Sequence, residues 1–176
     1  MIKKLINQTY CWDKESARYT SENIKRRRLD DYSNEFKFFN NKNIKSILDV
    51  GCGSGEMLKD LTVKLNNKKN KIINATGLEP SREASRILKR KYKDDKNLSF
   101  INSYAHALPF NDNSFDLVYA WSVLHWIDRN NYLQSIGEMI RVTKKYLVIM
   151  DFYSGKDYRV NYSHNKDFYT YKSDFD

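Results

Sequence analysis

The stretch ILDVGCGSGEML, residues 47–58, constrains this chain more than any other. A short apolar run ends in aspartate and passes at once into three glycines at alternate positions, Gly51, Gly53 and Gly55. Only six glycines serve all 176 residues, so half of them fall within five positions. Branched apolar residues closed by such a turn read as a short buried strand. The following GEMLKDLTVKL puts Leu58, Leu61 and Leu65 on one helical face. Glycine at a strand–helix turn permits positive φ and lets a ligand touch the backbone without meeting a Cβ. The helix then points its free N–H groups at the same place. A tight turn without a ligand needs one such glycine, not three in alternation.

The remaining pattern repeats strand and helix. SILDV at 46–50, INATGLE at 73–79, LSFIN at 98–102, SFDLVYAW at 114–121 and YLVIMDFY at 146–153 read as five strands. Ser81 is placed to cap a helix carrying Ala84, Leu88 and Tyr92 four apart. NYLQSIGEMIRV reads as a helix with Leu133, Ile136 and Ile140 facing inward, and residues 13–40 read as helical, with Tyr32, Phe36 and Phe39 at helical spacing. Alternation of this kind predicts α/β architecture: a Rossmann-like, doubly wound, mainly parallel sheet with right-handed crossovers. Ligands of such sheets bind beyond the carboxyl ends of the strands where the order reverses. The glycine turn therefore belongs beside that crevice, between the first and fourth strands, and the expected order is 3-2-1-4-5. Three regions follow: a helical lid or cap over 1–44, a ligand-binding core over 45–153, and an irregular polar and aromatic tail over 154–176.

The spacing G-C-G-S-G is not the G-x-G-x-x-G of a pyrophosphate site, which makes a dinucleotide the weaker ligand. Glu79 ends the second strand, 24 residues beyond Gly55. An acid there can accept hydrogen bonds from both hydroxyls of a ribose, although it could equally cap the next helix. Coupled to the glycine turn, it is expected to bind a nucleoside.

LDVGCGSGEML and GLEPS, together with LPFNDNSFDLVYAWSVLHWI at 108–127, resemble the class I S-adenosylmethionine-dependent methyltransferases. The nearest group contains the ubiquinone and menaquinone biosynthesis methyltransferases, and the resemblance covers about residues 45–153. It implies S-adenosyl-L-methionine as cofactor and S-adenosyl-L-homocysteine as product. Asp49 and the backbone of Gly51 and Gly53 would hold the methionine part, and Gly55 would let the helix approach. Glu79 would bind the ribose and Pro80 would pack near the adenine. Ser103, Tyr104 and Ala105 would edge the adenine, with Tyr104 standing where this family usually has an aspartate. Trp121 and Ser122 would lie against the methionine moiety or the acceptor. The family's sheet usually has seven strands, but only 23 residues follow Tyr153. A helix and a long hairpin take roughly 35 at ordinary lengths, so the C-terminal edge strands are expected to be missing. Tyr158, Tyr162, Phe168, Tyr169 and Tyr171 should then cover the edge or meet a second copy of the chain as a homodimer.

Methyl transfer asks a protein chiefly to align the acceptor and exclude water, with a general base where the acceptor carries a proton. His125, just past the fourth strand, is the best-placed candidate, although a histidine at such a junction often only bonds backbone. His106 and His164 stand behind it. The expected acceptor is a small molecule methylated at oxygen or nitrogen. The alternatives are an RNA or protein methyltransferase, or a truncated, non-catalytic cofactor-binding domain. The formal charge of +9 favours RNA only mildly. Residues 1–46 carry 11 basic and 6 acidic side chains and residues 111–176 carry 8 and 9, so the surplus lies early in the chain. The sequence lacks the N/D-P-P-Y/F pattern of nucleic-acid amino methyltransferases. Cys11 and Cys52 lie far apart without metal-ligand spacing, so no metal is expected. No apolar run approaches a membrane span and no secretory leader is visible, from which a cytoplasmic location is expected.

Overall fold

The structure is a computed structural model that describes residues 36–66, 73–152, 154–162 and 165–172. Five strands, β1 (Ser46–Val50), β2 (Asn74–Glu79), β3 (Leu98–Asn102), β4 (Phe115–Trp121) and β5 (Thr143–Met150), form one sheet in the order β3-β2-β1-β4-β5, parallel throughout. This is the doubly wound order that the sequence predicts. Helices α1 (Glu56–Asn66), α2 (Arg82–Lys91) and α3 (Arg129–Val142) supply connections between the strands.

Each face of the sheet has its own core, because alternate residues of a strand point to opposite sides. Ile47 of β1 and Leu117 and Tyr119 of β4 join Leu58 and Leu61 of α1, Leu88 of α2 and Phe36 on one face. Leu48, Val50, Val118 and Ala120 join Met139 and Val142 of α3 on the other. The central strands β1 and β4 are buried on both faces, which explains their near-continuous apolar sequence. Ser81 caps α2 as expected, its hydroxyl accepting from the Ala84 N–H at 3.1 Å.

Two expectations fail. In α3 the inward residues are Ser135, Met139 and Val142, whereas Leu133 is 77% and Ile140 59% exposed, and Ile136 is half-buried. Polar clamps fix the helix's rotation. The Glu138 carboxylate accepts from Leu108 N–H at 2.9 Å, and Arg141 donates to the carbonyls of Leu108 and Phe110 and to Asp112. These contacts anchor the helix to the 108–112 loop and leave the Leu133–Ile140 stripe outside.

The tail is the second. Instead of an irregular segment it forms two antiparallel strands, β6 (Tyr158–Tyr162) and β7 (Asn165–Lys172). A direct hairpin needs no crossover helix, so the chain length that argued against further strands did not apply. The pair forms its own two-stranded sheet and does not extend the main one, which keeps five strands. β7 packs on the 3-10 turn Leu124–Trp126 that follows β4. Of the expected helix over 13–40, the described part is Phe36 and Lys37 and a 3-10 turn at Phe38–Asn41. The rest, with Tyr32, the proposed cap and the basic run at 25–28, lies outside the described residues.

Candidate active site

Parallel strands end on one edge, so the topology gathers the ends of β1, β2, β3 and β4 at the same place. Asp49, three glycines, Glu79, Ser103–Ala105, Trp121, Ser122 and His125 all sit there. The glycine turn is tied to β2 by Gly51 N–H and Cys52 N–H, which both donate to the Leu78 carbonyl, at 2.8 and 3.0 Å. Gly51, Gly53 and Gly55 have φ of 76°, 53° and 70°. A Cβ at Gly51 would lie 2.7 Å from a methyl of Val123, so this glycine lets the loop after β4 close onto the turn. Among the described residues, a Cβ at Gly53 would meet nothing within 4 Å. No described side chain crowds the turn here, and the positive φ is what demands glycine.

Glu79 is buried at the end of β2. Its carboxylate accepts from Gly53 N–H at 3.2 Å and from Ser81 N–H at 3.0 Å, which ties the glycine turn to the start of α2. Pro80 follows, half-buried, and its carbonyl and that of Glu79 accept from the Asn102 amide. Tyr104 is 44% exposed and stacks on His106, with ring centroids 5.4 Å apart. Ala105 packs toward the second core, and the Ser103 hydroxyl donates to the Ala107 carbonyl.

Asp49 and Tyr119 are register partners on β1 and β4, and they project to the same face. The Tyr119 hydroxyl donates to Asp49 Oδ2 at 2.8 Å in a fully buried setting. Burial pushes the Asp49 carboxyl up to about 7; the Tyr119 hydrogen bond works against this and the nearby Glu79 charge adds to it. Burial likewise pushes the Cys52 thiol up, the charges of Asp49 and Glu79 adding to it, which makes it a packing residue rather than a nucleophile. Gly77, the other register partner of Asp49, makes room for Cys52, whose sulfur would lie 2.7 Å from a Cβ there.

Past β4, Trp121 stacks on Phe36 at 5.9 Å and 21°. Ser122 takes φ of 55°, a conformation that non-glycine residues seldom adopt, and its N–H donates to the Met150 carbonyl at 2.7 Å. His125 follows in the 3-10 turn with its side chain 7% exposed. Its Nδ1 lies 2.6 Å from Oδ1 of Asp151, whose own side chain is 2% exposed. Asp151 also accepts from the backbone N–H groups of Leu124 (2.6 Å), His125 (3.3 Å) and Phe152 (2.7 Å). Burial opposes ionisation of Asp151, but the His125 bond and these amides outweigh it and hold the carboxyl below the usual range. An ionised Asp151 only accepts, so Nδ1 carries a hydrogen and Nε2 of a neutral ring is left with its lone pair.

Sequence reasoning missed Asp151, Tyr119 and Asn102. A signal existed for the first, since YLVIMD ends its strand in an acid just as TGLE does. His164 and the aromatic residues at 10, 12 and 19 lie outside the described residues. Among the described residues no His, Cys, Asp and Glu cluster could hold a metal, and no helix is long and apolar enough to cross a membrane.

A reversing parallel sheet with a glycine turn and an acidic strand end at its crevice defines an α/β domain for a nucleoside-bearing cofactor. The methyltransferase domain family matches residues 48–149. A demethylmenaquinone methyltransferase from Lactococcus lactis is 37% identical over 101 residues, covering 56% of this chain and 38% of that protein. The ubiquinone/menaquinone biosynthesis C-methyltransferase UbiE from Hahella chejuensis is 32% identical over 109 residues, covering 59% and 42%. These matches thus span about two fifths of each relative's length. In fold, a SAM-dependent methyltransferase from Aquifex aeolicus is similar with a TM-score of 0.60 and 22% identity, covering 80% of this chain and 73% of that one. Another, from Methanosarcina mazei, gives 0.63 and 20%, covering 80% and 77%. The chain belongs to the methyltransferase domain family, a class I fold whose cofactor is S-adenosylmethionine, and the curated relatives it resembles are of the UbiE type. The residues present fit that group: among the described residues nothing crowds the turn at Gly53, and the acids of Asp49 and Glu79 end the adjacent strands.

Proposed function

We propose that this chain transfers the cofactor's methyl group to a small aromatic acceptor of the hydroquinone type, with His125 as general base. The observation that carries the reading is the buried His125–Asp151 pair beside the strained Ser122, at the strand ends where the cofactor binds. The bound cofactor supplies a methyl group on a sulfonium, which leaves as a neutral thioether. Asp49, Gly51 and Gly53 hold its methionine half, with Gly55 letting α1 approach. Glu79 takes the ribose, and Pro80, Ser103, Tyr104 and Ala105 border the adenine. Trp121 and Ser122 face the methionine and acceptor side.

Asp151 keeps the hydrogen on Nδ1, so Nε2 of His125 removes a phenolic proton from the acceptor. The resulting phenolate makes its adjacent ring carbon nucleophilic, a C–C bond forms to the methyl group, and loss of the ring proton restores aromaticity. The Hahella chejuensis relative is named a C-methyltransferase, which favours carbon over the oxygen or nitrogen that the sequence alone suggested. β7, packed on the turn that carries His125, helps to exclude water there.

The test is methyl transfer from labelled S-adenosylmethionine to a reduced demethylnaphthoquinone, followed by mass spectrometry. Methylation at ring carbon is expected, with His125→Ala losing at least a hundredfold in kcat while still binding S-adenosylhomocysteine. Methylation of RNA in place of the hydroquinone, or full turnover by His125→Ala, overturns the assignment.

A further inference from the structure

We propose that Asp49 carries a proton while the cofactor site is empty, and that binding of the cationic methionine half expels it. The inference rests on the cofactor and not on the identity of the acceptor. Asp49 is 3% exposed and held at the end of β1 between two strands. The titratable groups that face it are Tyr119 on β4, Cys52 in the glycine turn and Glu79 at the end of β2. None is basic, and among the described residues no cation lies against it. A carboxylate removed from water without a cation is costly, so the empty site favours the neutral acid.

The geometry allows for both states. Among the described residues a single hydroxyl, that of Tyr119, donates to Asp49 at 2.8 Å. Glu79, by contrast, accepts from two backbone N–H groups. The two acids at the crevice are therefore unequal: Glu79 is bonded by two backbone amides, and Asp49 is left to be ionised by what binds. The cofactor's positive charges, an ammonium and a sulfonium, both lie on its methionine half. Their arrival replaces the missing cation, the O–H bond of Asp49 breaks, and the proton passes to solvent. The Tyr119 hydrogen bond then stabilises the carboxylate that remains.

Cofactor binding is thereby linked to pH. Between about pH 5 and 7 the ligand's own carboxyl and ammonium keep their charges. Release of one proton makes affinity rise about tenfold per pH unit while Asp49 of the free protein is protonated, then level off once it is ionised. The cofactor is held less tightly on the acid side of that range.

The experiment is calorimetric titration of the whole chain with S-adenosylmethionine, which carries both positive charges, at pH 6, in phosphate and in imidazole. The difference in apparent enthalpy between the buffers gives the protons released, and close to one per site is expected. Asp49→Asn should bind without buffer dependence and with an affinity flat from pH 5.5 to 7. Tyr119→Phe removes the bond that favours the carboxylate, so the pH at which affinity levels off should move upward. That second variant decides the matter if the first does not fold. Tight binding by the wild type with no proton release overturns the proposal and leaves the cofactor assignment standing. Undiminished release by Asp49→Asn, or an unmoved plateau in Tyr119→Phe, also overturns it. Failure of the folded wild type to bind at all overturns the cofactor assignment together with it.

Discussion

Nδ1 of His125 and Oδ1 of Asp151 are 2.6 Å apart, and the two residues come from the ends of different strands of the sheet, 26 positions apart in sequence. The same carboxylate closes the 3-10 turn after β4 through Leu124 N–H and His125 N–H. One side chain therefore both shapes the turn and aims the ring.

Asp151→Asn should lose stability and activity together. Each carboxylate oxygen accepts a backbone N–H, so an amide nitrogen at either place leaves a buried donor facing a donor, at a cost of roughly 1–3 kcal/mol. The pH dependence has a defined sign. The folded-state carboxyl is lowered, so its contribution is present above the ordinary carboxylate range and is lost as pH falls through the folded value. The gap in urea midpoint between wild type and variant should be smaller at pH 3 than at pH 7. Parallel curves would show that Asp151 is not ionised in the fold.

Asp49 gives the opposite sign without ligand. Its folded value, about 7, exceeds the ordinary 3.8, so the folded state binds the extra proton. Stability from this group is fully present below about pH 4 and declines as pH rises through 7. Asp49→Asn should therefore melt higher than wild type at pH 8, and the advantage should vanish by pH 4. Thermal unfolding at the two pH values checks this.

Gly53→Val should keep the secondary structure and lose cofactor binding. The side chain meets none of the described residues above the turn, and φ of 53° strains a branched residue. Circular dichroism and titration with S-adenosylhomocysteine separate the two effects. Normal affinity in the folded variant would make the turn purely structural.

Glu79→Ala should weaken cofactor binding by roughly 1.5–3 kcal/mol, the range for hydrogen bonds to a charged group. It should also lower the melting temperature, because Gly53 and Ser81 lose their acceptor. Unchanged affinity would remove Glu79 from the ribose.

Met139→Ala and Leu133→Ala test the rotation of α3. Met139 is fully buried, and its truncation should cost about 2–5 kcal/mol. Leu133 is 77% exposed, and its truncation should fall within about 0.5 kcal/mol of zero. Chemical denaturation of both variants would show the reverse pattern if the sequence-based face were the inner one.

The sequence by itself determined the strand–helix alternation, the sheet order and the place of the crevice. Those features follow from local signals: apolar runs of strand length, three glycines that only a strained turn needs, and an acid at a strand end. Gly51, Gly53, Gly55 and Glu79 could be read because each one's chemistry is tied to its immediate neighbours. Only the tertiary structure decided which face of α3 is buried, since both of its faces carry apolar residues and the choice rests on Glu138 and Arg141 reaching the 108–112 loop. It likewise decided that the tail is a hairpin whose second strand packs on the 3-10 turn carrying His125, and it paired Asp49 with Tyr119 and His125 with Asp151. Those pairs lie 70 and 26 residues apart. No local pattern encodes such distances; the strand order and register bring the side chains together, and burial then sets which of them hold protons.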